Sequence, residues 1–258
     1  MIACQVAHSL FDVPLKIARI RAQSYLQSNW QTLFSKDELP IDVVISPEIE
    51  VAEMVLRRIA LPGSVDSVRF ANGSVALVAI ECRDDCPILN TSLGQLSALF
   101  PDLGATVVGI FRDRHLFIPN SADELYANDL AYVVVEQTNL GRTLALFGHD
   151  EPEAARIVIA GGGNVGLAVA QALERQKIST RLRLIEAEAG RALKLADELK
   201  RTAVLHGSAL DPVILREADI ADADLMVALT NDDQVNVLSS ALAKKLGAKT
   251  NLALLNEK

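Results

Sequence analysis

One run constrains this chain more than any other: Gly161-Gly162-Gly163-Asn164-Val165-Gly166, because of what flanks it. Arg156 to Ala160 is a short apolar run of strand character, and Leu167 to Arg175 repeats apolar residues at helical spacing. At such a junction three glycines have separate jobs. Gly161 makes the sharp exit from the strand, Gly163 lets a diphosphate approach the backbone, and Gly166 lets helix and strand pack closely. Amide groups at the start of the helix, with the positive end of its dipole, then hold phosphate. Glu186 closes the next strand 20 residues beyond Gly166, where a carboxylate accepts hydrogen bonds from ribose hydroxyls and repels the extra phosphate of NADP. The pattern predicts a bound nucleotide; a glycine turn beside an empty crevice is the plainer alternative.

The residues after the glycine run keep alternating. Strands are expected over Thr180 to Ile185, Thr202 to Leu205, Asp224 to Leu229 and Asn251 to Leu255, with helices over Ala189 to Leu199 and Gln234 to Leu246 and a short helix after Pro212. That order predicts an α/β, Rossmann-like doubly wound parallel sheet. Two further loops leave its carboxyl edge, so Ser208, Thr230 and Asn231 are candidates for base or ribose contacts. Taken alone, each reads first as part of a helix cap, with Asp211 or Asp233 capping the helix that follows. No histidine, lysine or cysteine is placed to act as acid, base or nucleophile beside a nicotinamide, and His206 at the end of a strand reads as structural. Binding without turnover is the expectation.

The middle of the chain has another rhythm. Val65 to Phe70 and Val75 to Glu81 flank Ala71-Asn72-Gly73-Ser74, a hairpin signal, and Leu93 to Leu99 reads as a helix. Thr106 to Arg112, His115 to Ile118 and Leu130 to Val135 read as strands, and Leu140 to Phe147 as a last helix. These features predict a small α+β module over residues 62–150, bounded by the polar stretch 148–153, with the Rossmann unit over 151–258. Met1 to Leu10 and Leu15 to Ile20 parallel Val237 to Leu246 and Thr250 to Leu255 at an offset of about 236 residues, so a duplicated unit is expected. Residues 1–61 then read as the tail of a first Rossmann unit whose glycine loop lies upstream, ending in a helix over Pro47 to Ile59. In that tail Arg19 and Arg21 alternate onto one strand face and suit a triphosphate, or are plain surface arginines.

Composition narrows the function. A formal net charge of −8 with scattered Lys and Arg disfavours nucleic acid as a partner. No apolar run reaches the roughly 20 residues of a membrane span, and no signal peptide is evident, so a cytosolic chain is expected. The four histidines lack metal-ligand spacing, and Cys4, Cys82 and Cys86 are expected to be reduced thiols. Cys82 and Cys86 admit a redox bridge, although ordinary loop thiols are the preferred reading.

Several runs carry a family resemblance: Ile2 to Ala7, Lys16 to Arg21, Ile45 to Glu50, Phe147-Gly148-His149, Val158 to Gly166 and Thr230 to Asn236. In these the chain resembles the TrkA family of regulators of bacterial Trk potassium uptake, in the class with regulator-of-potassium-conductance (RCK or KTN) domains. The resemblance implies Rossmann units, each followed by a small C-terminal module, assembled as a homo-oligomer, a tetrameric ring or dimer. It further implies a peripheral position at the inner face of the plasma membrane under a TrkH/TrkG-type transporter subunit, and a response to NAD(H) or ATP/ADP. The nucleotide role falls on Gly161, Gly163, Gly166 and Glu186, and that of an ATP-responsive first unit on Arg19 and Arg21. Where members often carry Gly-Asp this chain has Gly207-Ser208. An NAD-dependent oxidoreductase, for which the middle module offers only His115, and a purely structural assembly domain are the alternatives.

Overall fold

The computed structural model describes residues 2–20, 40–61, 63–150, 154–175 and 180–255. The chain divides into two compact units, Met1–Glu53 with Ala154–Lys258, and Met54–Glu153. Among the described residues no helix is long and apolar enough to cross a membrane.

In the first unit, helix α1 (Ile2–Phe11) leads into strand β1 (Ile17–Arg19), which pairs in parallel with β2 (Val43–Ile45). β2 is absent from the sequence expectations because three residues carry no period. Ala18, Ile20 and Ile41 form a small buried cluster there. Arg21 lies outside the described residues. Helix α2 (Pro47–Ala60), which begins in this unit and ends in the second, carries Glu48 and Glu50 in its first turn and Arg57 and Arg58 in its last, the charge order that the helix dipole favours.

The unit's main sheet is built by β8 (Arg156–Ala160), β9 (Arg181–Glu186), β10 (Thr202–His206), β11 (Leu225–Ala228) and β12 (Thr250–Ala253). All four pairings are parallel and the order is β10-β9-β8-β11-β12, so the chain reverses its winding between β8 and β11. Helices α5 (Asn164–Arg175), α6 (Ala189–Glu198), α7 (Pro212–Glu217) and α8 (Asp233–Lys245) make the crossovers. This is the expected doubly wound sheet, with core residues Val158, Ala160, Ile185, Leu215, Ile220 and Met226. Helix α5 starts at Asn164, three residues before the apolar spacing predicts, because the glycine loop itself turns into its first helical residues. Glu174 near its end ties down the entry of β10. Burial raises its pKa, but amide hydrogen bonds from Arg201, Lys200 and Thr202 outweigh that and hold the carboxyl below its ordinary value.

The second unit carries an antiparallel sheet of β3 (Ser64–Phe70), β4 (Val75–Glu81), β5 (Ala105–Arg112), β6 (His115–Phe117) and β7 (Leu130–Glu136), in the order β3-β4-β7-β5-β6. The expected hairpin turn is present, with Ala71, Asn72 and Gly73 all at positive φ. Helices α3 (Leu93–Leu99) and α4 (Leu140–Leu146) accompany the sheet, and Ser92 with Gln95 forms a capping box on α3. A cavity of about 240 Å³ lies between these helices and the sheet, lined among others by Leu96, Phe100, Val107, Val133, Leu146 and Phe147. Asp129, 1 % exposed, receives two guanidinium hydrogen bonds from Arg112, whose plane also stacks over Tyr126.

Candidate nucleotide-binding site

β8 and β11 lead into opposite crossovers, and it is at the carboxyl ends of such a strand pair that open parallel sheets take their ligands. The glycine loop sits at this point. Its start is fixed by the Gly161 N–H donating to Ile185 O at 2.9 Å and the Leu229 N–H donating to Ala160 O at 2.8 Å, and its far end by the Leu167 N–H donating to Gly163 O at 2.9 Å.

The glycines differ in what a side chain would meet. Gly161 has φ +100°, and a Cβ there stands 2.8 Å from Thr230 N. At Gly166 a Cβ runs into the carbonyl oxygen of Gly161, so helix and strand meet backbone to backbone. At Gly162 it collides with Leu195 Cδ1. At Gly163 it meets nothing within 4 Å. Gly161 and Gly166 are therefore required by the backbone itself and Gly162 packs against a side chain that can shift, while Gly163 leaves an open approach to backbone. Asn164 is exposed and Val165 half-buried on the first turn of α5. The amides of a first helical turn have no acceptor within their helix and point out of its N-terminal end.

Glu186 ends β9 and is 6 % exposed. One carboxylate oxygen accepts the Gly162 N–H at 2.8 Å, the other the Glu188 N–H at 2.8 Å, and the Arg191 guanidinium stands 3.8 Å away. The expected ribose acceptor thus also braces the glycine loop against the next turn. Each oxygen keeps a second lone pair for a hydroxyl.

The other candidates separate. Thr230 faces inward: its hydroxyl donates to Asn236 Oδ1 at 2.7 Å and its N–H to the same oxygen at 2.8 Å. Asn236, fully buried, returns its amide to Thr230 O and Leu254 O at 3.0 and 2.8 Å, tying the ends of β11 and β12 together. Asn231 is exposed beside it. Ser208 is exposed and its hydroxyl accepts the Leu210 N–H at 3.2 Å, shaping its own turn. Asp211 caps α7 as expected, but α8 is capped by Asp232, with Asp233 already inside the helix; the Asp232 carboxylate accepts from Gln234 and Val235. His206 ends the edge strand β10, exposed and in register with Glu186. Arg19 is exposed on the separate β1–β2 pair, and Arg21 lies outside the described residues. Among the described residues no cluster of His, Cys, Asp and Glu is arranged to hold a metal.

Sequence reasoning missed Asn236 and Arg191. Asn236 had a signal: with Ser239 and Ala243 it falls on the buried face of α8, where a polar side chain needs a fixed partner. Arg191 had none, since its contact with Glu186 depends on the turn between them.

Comparison with known proteins follows the same division. Residues 157–257 match the TrkA-N domain and residues 77–148 the TrkA-C domain. The Trk system potassium uptake protein TrkA of Azorhizobium caulinodans is 54 % identical over 257 residues, covering 100 % of this chain and 56 % of that protein. The TrkA protein of Halomonas elongata is 40 % identical over 256 residues, 99 % of this chain and 55 % of its own. The chain thus spans about half the length of the curated relatives it matches. Among solved structures, the GsuK RCK domain superposes with a TM-score of 0.59 at 19 % identity, covering 96 % of this chain and 55 % of that one. The GsuK channel bound to NAD superposes at 0.56 and 19 % identity, covering 96 % and 46 %.

Proposed function

From the premise that this chain belongs to the TrkA family, we propose that it is a nucleotide-sensing, non-catalytic regulatory part of a potassium uptake system. The observation that carries the ligand is the open approach at Gly163, between glycines that the fold itself requires. NAD(H) or ATP/ADP is the ligand class: phosphates lie over the first turn of α5, with Asn164 and Val165, and ribose hydroxyls reach Glu186. The NAD bound by the GsuK channel, which shares the fold, supports this reading. Asn231 and Ser208, exposed on the neighbouring loops, face the base side, while Thr230 contributes through the loop it holds. Arg19 and Arg21 serve a triphosphate in a first unit.

The partner is a TrkH/TrkG-type membrane subunit, met at the inner face of the plasma membrane by a homo-oligomer of this protein. Domains run 1–61, 62–150 and 151–258 in this reading, the middle one being the small C-terminal module of the first unit. A nucleotide biases the transporter only if it binds one arrangement of the assembly more tightly than another, so occupancy of the crevice is coupled to how its domains are held.

The test is potassium uptake by cells whose full-length protein carries Gly163→Asp. We expect the protein to accumulate normally while uptake loses its response to the cellular NADH/NAD and ATP/ADP ratios. An unaltered response would reject the crevice as the sensing site.

A further inference from the structure

The antiparallel unit holds a second chemically distinctive cluster. Cys82 follows β4 and Cys86 stands four residues on, both inside the core cluster with Ile80, Ile88 and Phe147. The backbone brings them together. Cys82 is pinned by its N–H donating to Asp129 O at 2.8 Å and its carbonyl accepting the Asn128 N–H at 2.7 Å. The turn Arg83 to Cys86 closes through the Cys86 N–H on Arg83 O at 3.0 Å. The two thiols, both free, hydrogen-bond to one another. The loop thiols expected from the sequence are therefore both buried, four residues apart in one turn and within one core cluster.

The two sulfurs are not equivalent. Cys86 is 5 % exposed and Cys82 is sealed at 0 %. The hydrogen bond between them pushes Cys82 far above the ordinary thiol range, with burial adding to it. The same hydrogen bond lowers Cys86 to about 7 against the opposing effect of burial, and the Ile88 backbone helps. One thiol thus leans towards the thiolate in the less completely buried of the two residues, and the other stays a thiol.

We propose that Cys82 and Cys86 form a reversible dithiol–disulfide site oxidised by peroxides. The Cys86 thiolate attacks one peroxide oxygen. The O–O bond breaks, the leaving hydroxide takes a proton to become water, and Cys86 becomes the sulfenic acid. The Cys82 sulfur then attacks the Cys86 sulfur; the S–S bond forms and the sulfenic hydroxyl leaves as water with the proton from Cys82. Two thiols lose two electrons and the peroxide is reduced to two waters. The site lies where the unit feels such a change. A Cβ at Gly148 stands 3.6 Å from Cys86 Cα, and the His149 ring Nε2 is 2.9 Å from the carbonyl of Glu81, the neighbour of Cys82.

Reduced, folded protein is exposed to hydrogen peroxide, quenched with catalase, alkylated under denaturing conditions and mapped by mass spectrometry. We expect Cys82 and Cys86 to lose alkylation together, a linked peptide to appear, and dithiothreitol to restore both, with Cys4 remaining alkylated. In Cys82→Ser, dimedone traps a sulfenic acid on Cys86; in Cys86→Ser, Cys82 stays alkylatable. The proposal is overturned if both thiols of the wild type survive peroxide, if they are lost only in urea, or if dimedone marks Cys82. The wild-type map decides even where a variant fails to fold.

Discussion

The two five-stranded sheets expose their strands to different surroundings. In the parallel sheet all four residues of β11 and four of the five in β8 are buried, whereas β7 of the antiparallel sheet alternates buried and half-buried positions. Helices covering both faces leave the first sheet only its strand ends as an approach, so its candidate site is made of loops and helix starts. The second sheet keeps a face for side chains, and its features are accordingly lateral: a cavity beneath α3 and α4 and a buried ion pair. A site of backbone amides depends on close chain approach, and a site of side chains on paired charges and packing.

That contrast is broken most severely at Gly166. Gly166→Ala forces the new methyl into the Gly161 carbonyl, and we expect a loss of about 3 kcal/mol or more, read by urea unfolding, in the transition of the parallel unit alone. Asp129→Ala strikes the antiparallel unit in its own terms. It leaves the Arg112 guanidinium without its buried carboxylate, at a cost of about 2–3 kcal/mol in that unit's transition.

Asn236→Ala removes the buried amide between β11 and β12, and a loss of about 2 kcal/mol is expected, with faster hydrogen exchange at Thr230 and Leu254. Asp224→Asn is smaller. Its carboxyl is held below its ordinary value chiefly by the Lys249 hydrogen bond, with the Arg156 and Ala155 amides adding to it. The stability this contributes is present above the unfolded value of about 3.9 and fades as pH falls through the lower folded value. The substitution should cost about 1 kcal/mol at neutral pH and nothing in strong acid, measured as unfolding midpoints against pH. Gly163→Ala should leave both transitions within about 0.5 kcal/mol, because nothing surrounds the new methyl.

The parallel unit was the more legible of the two because its signals are local. The glycine run fixed the strand-to-helix junction, and Glu186 ended its strand as the spacing implied. The antiparallel pairing was legible at Asn72-Gly73, where positive φ is demanded by the turn. What escaped depends on contacts distant in sequence. Thr230 resembles a ligand-facing hydroxyl until Asn236, six residues on, is seen to claim it. Asp232 and Asp233 compete for one cap, and only the geometry of the turn decides between them. Cys82 and Cys86 read as loop residues because the pattern of their polar neighbours does not reveal that the turn is folded inward on the core.

The most direct test of the central claim is calorimetric titration of the purified protein with NADH, NAD, ATP and ADP, beside Gly163→Asp. The account predicts micromolar binding of at least one of these nucleotides, abolished by the aspartate, whose carboxylate would occupy and repel the phosphate approach while the protein stays folded. Absence of heat with all four, or binding that survives Gly163→Asp unchanged, would contradict it.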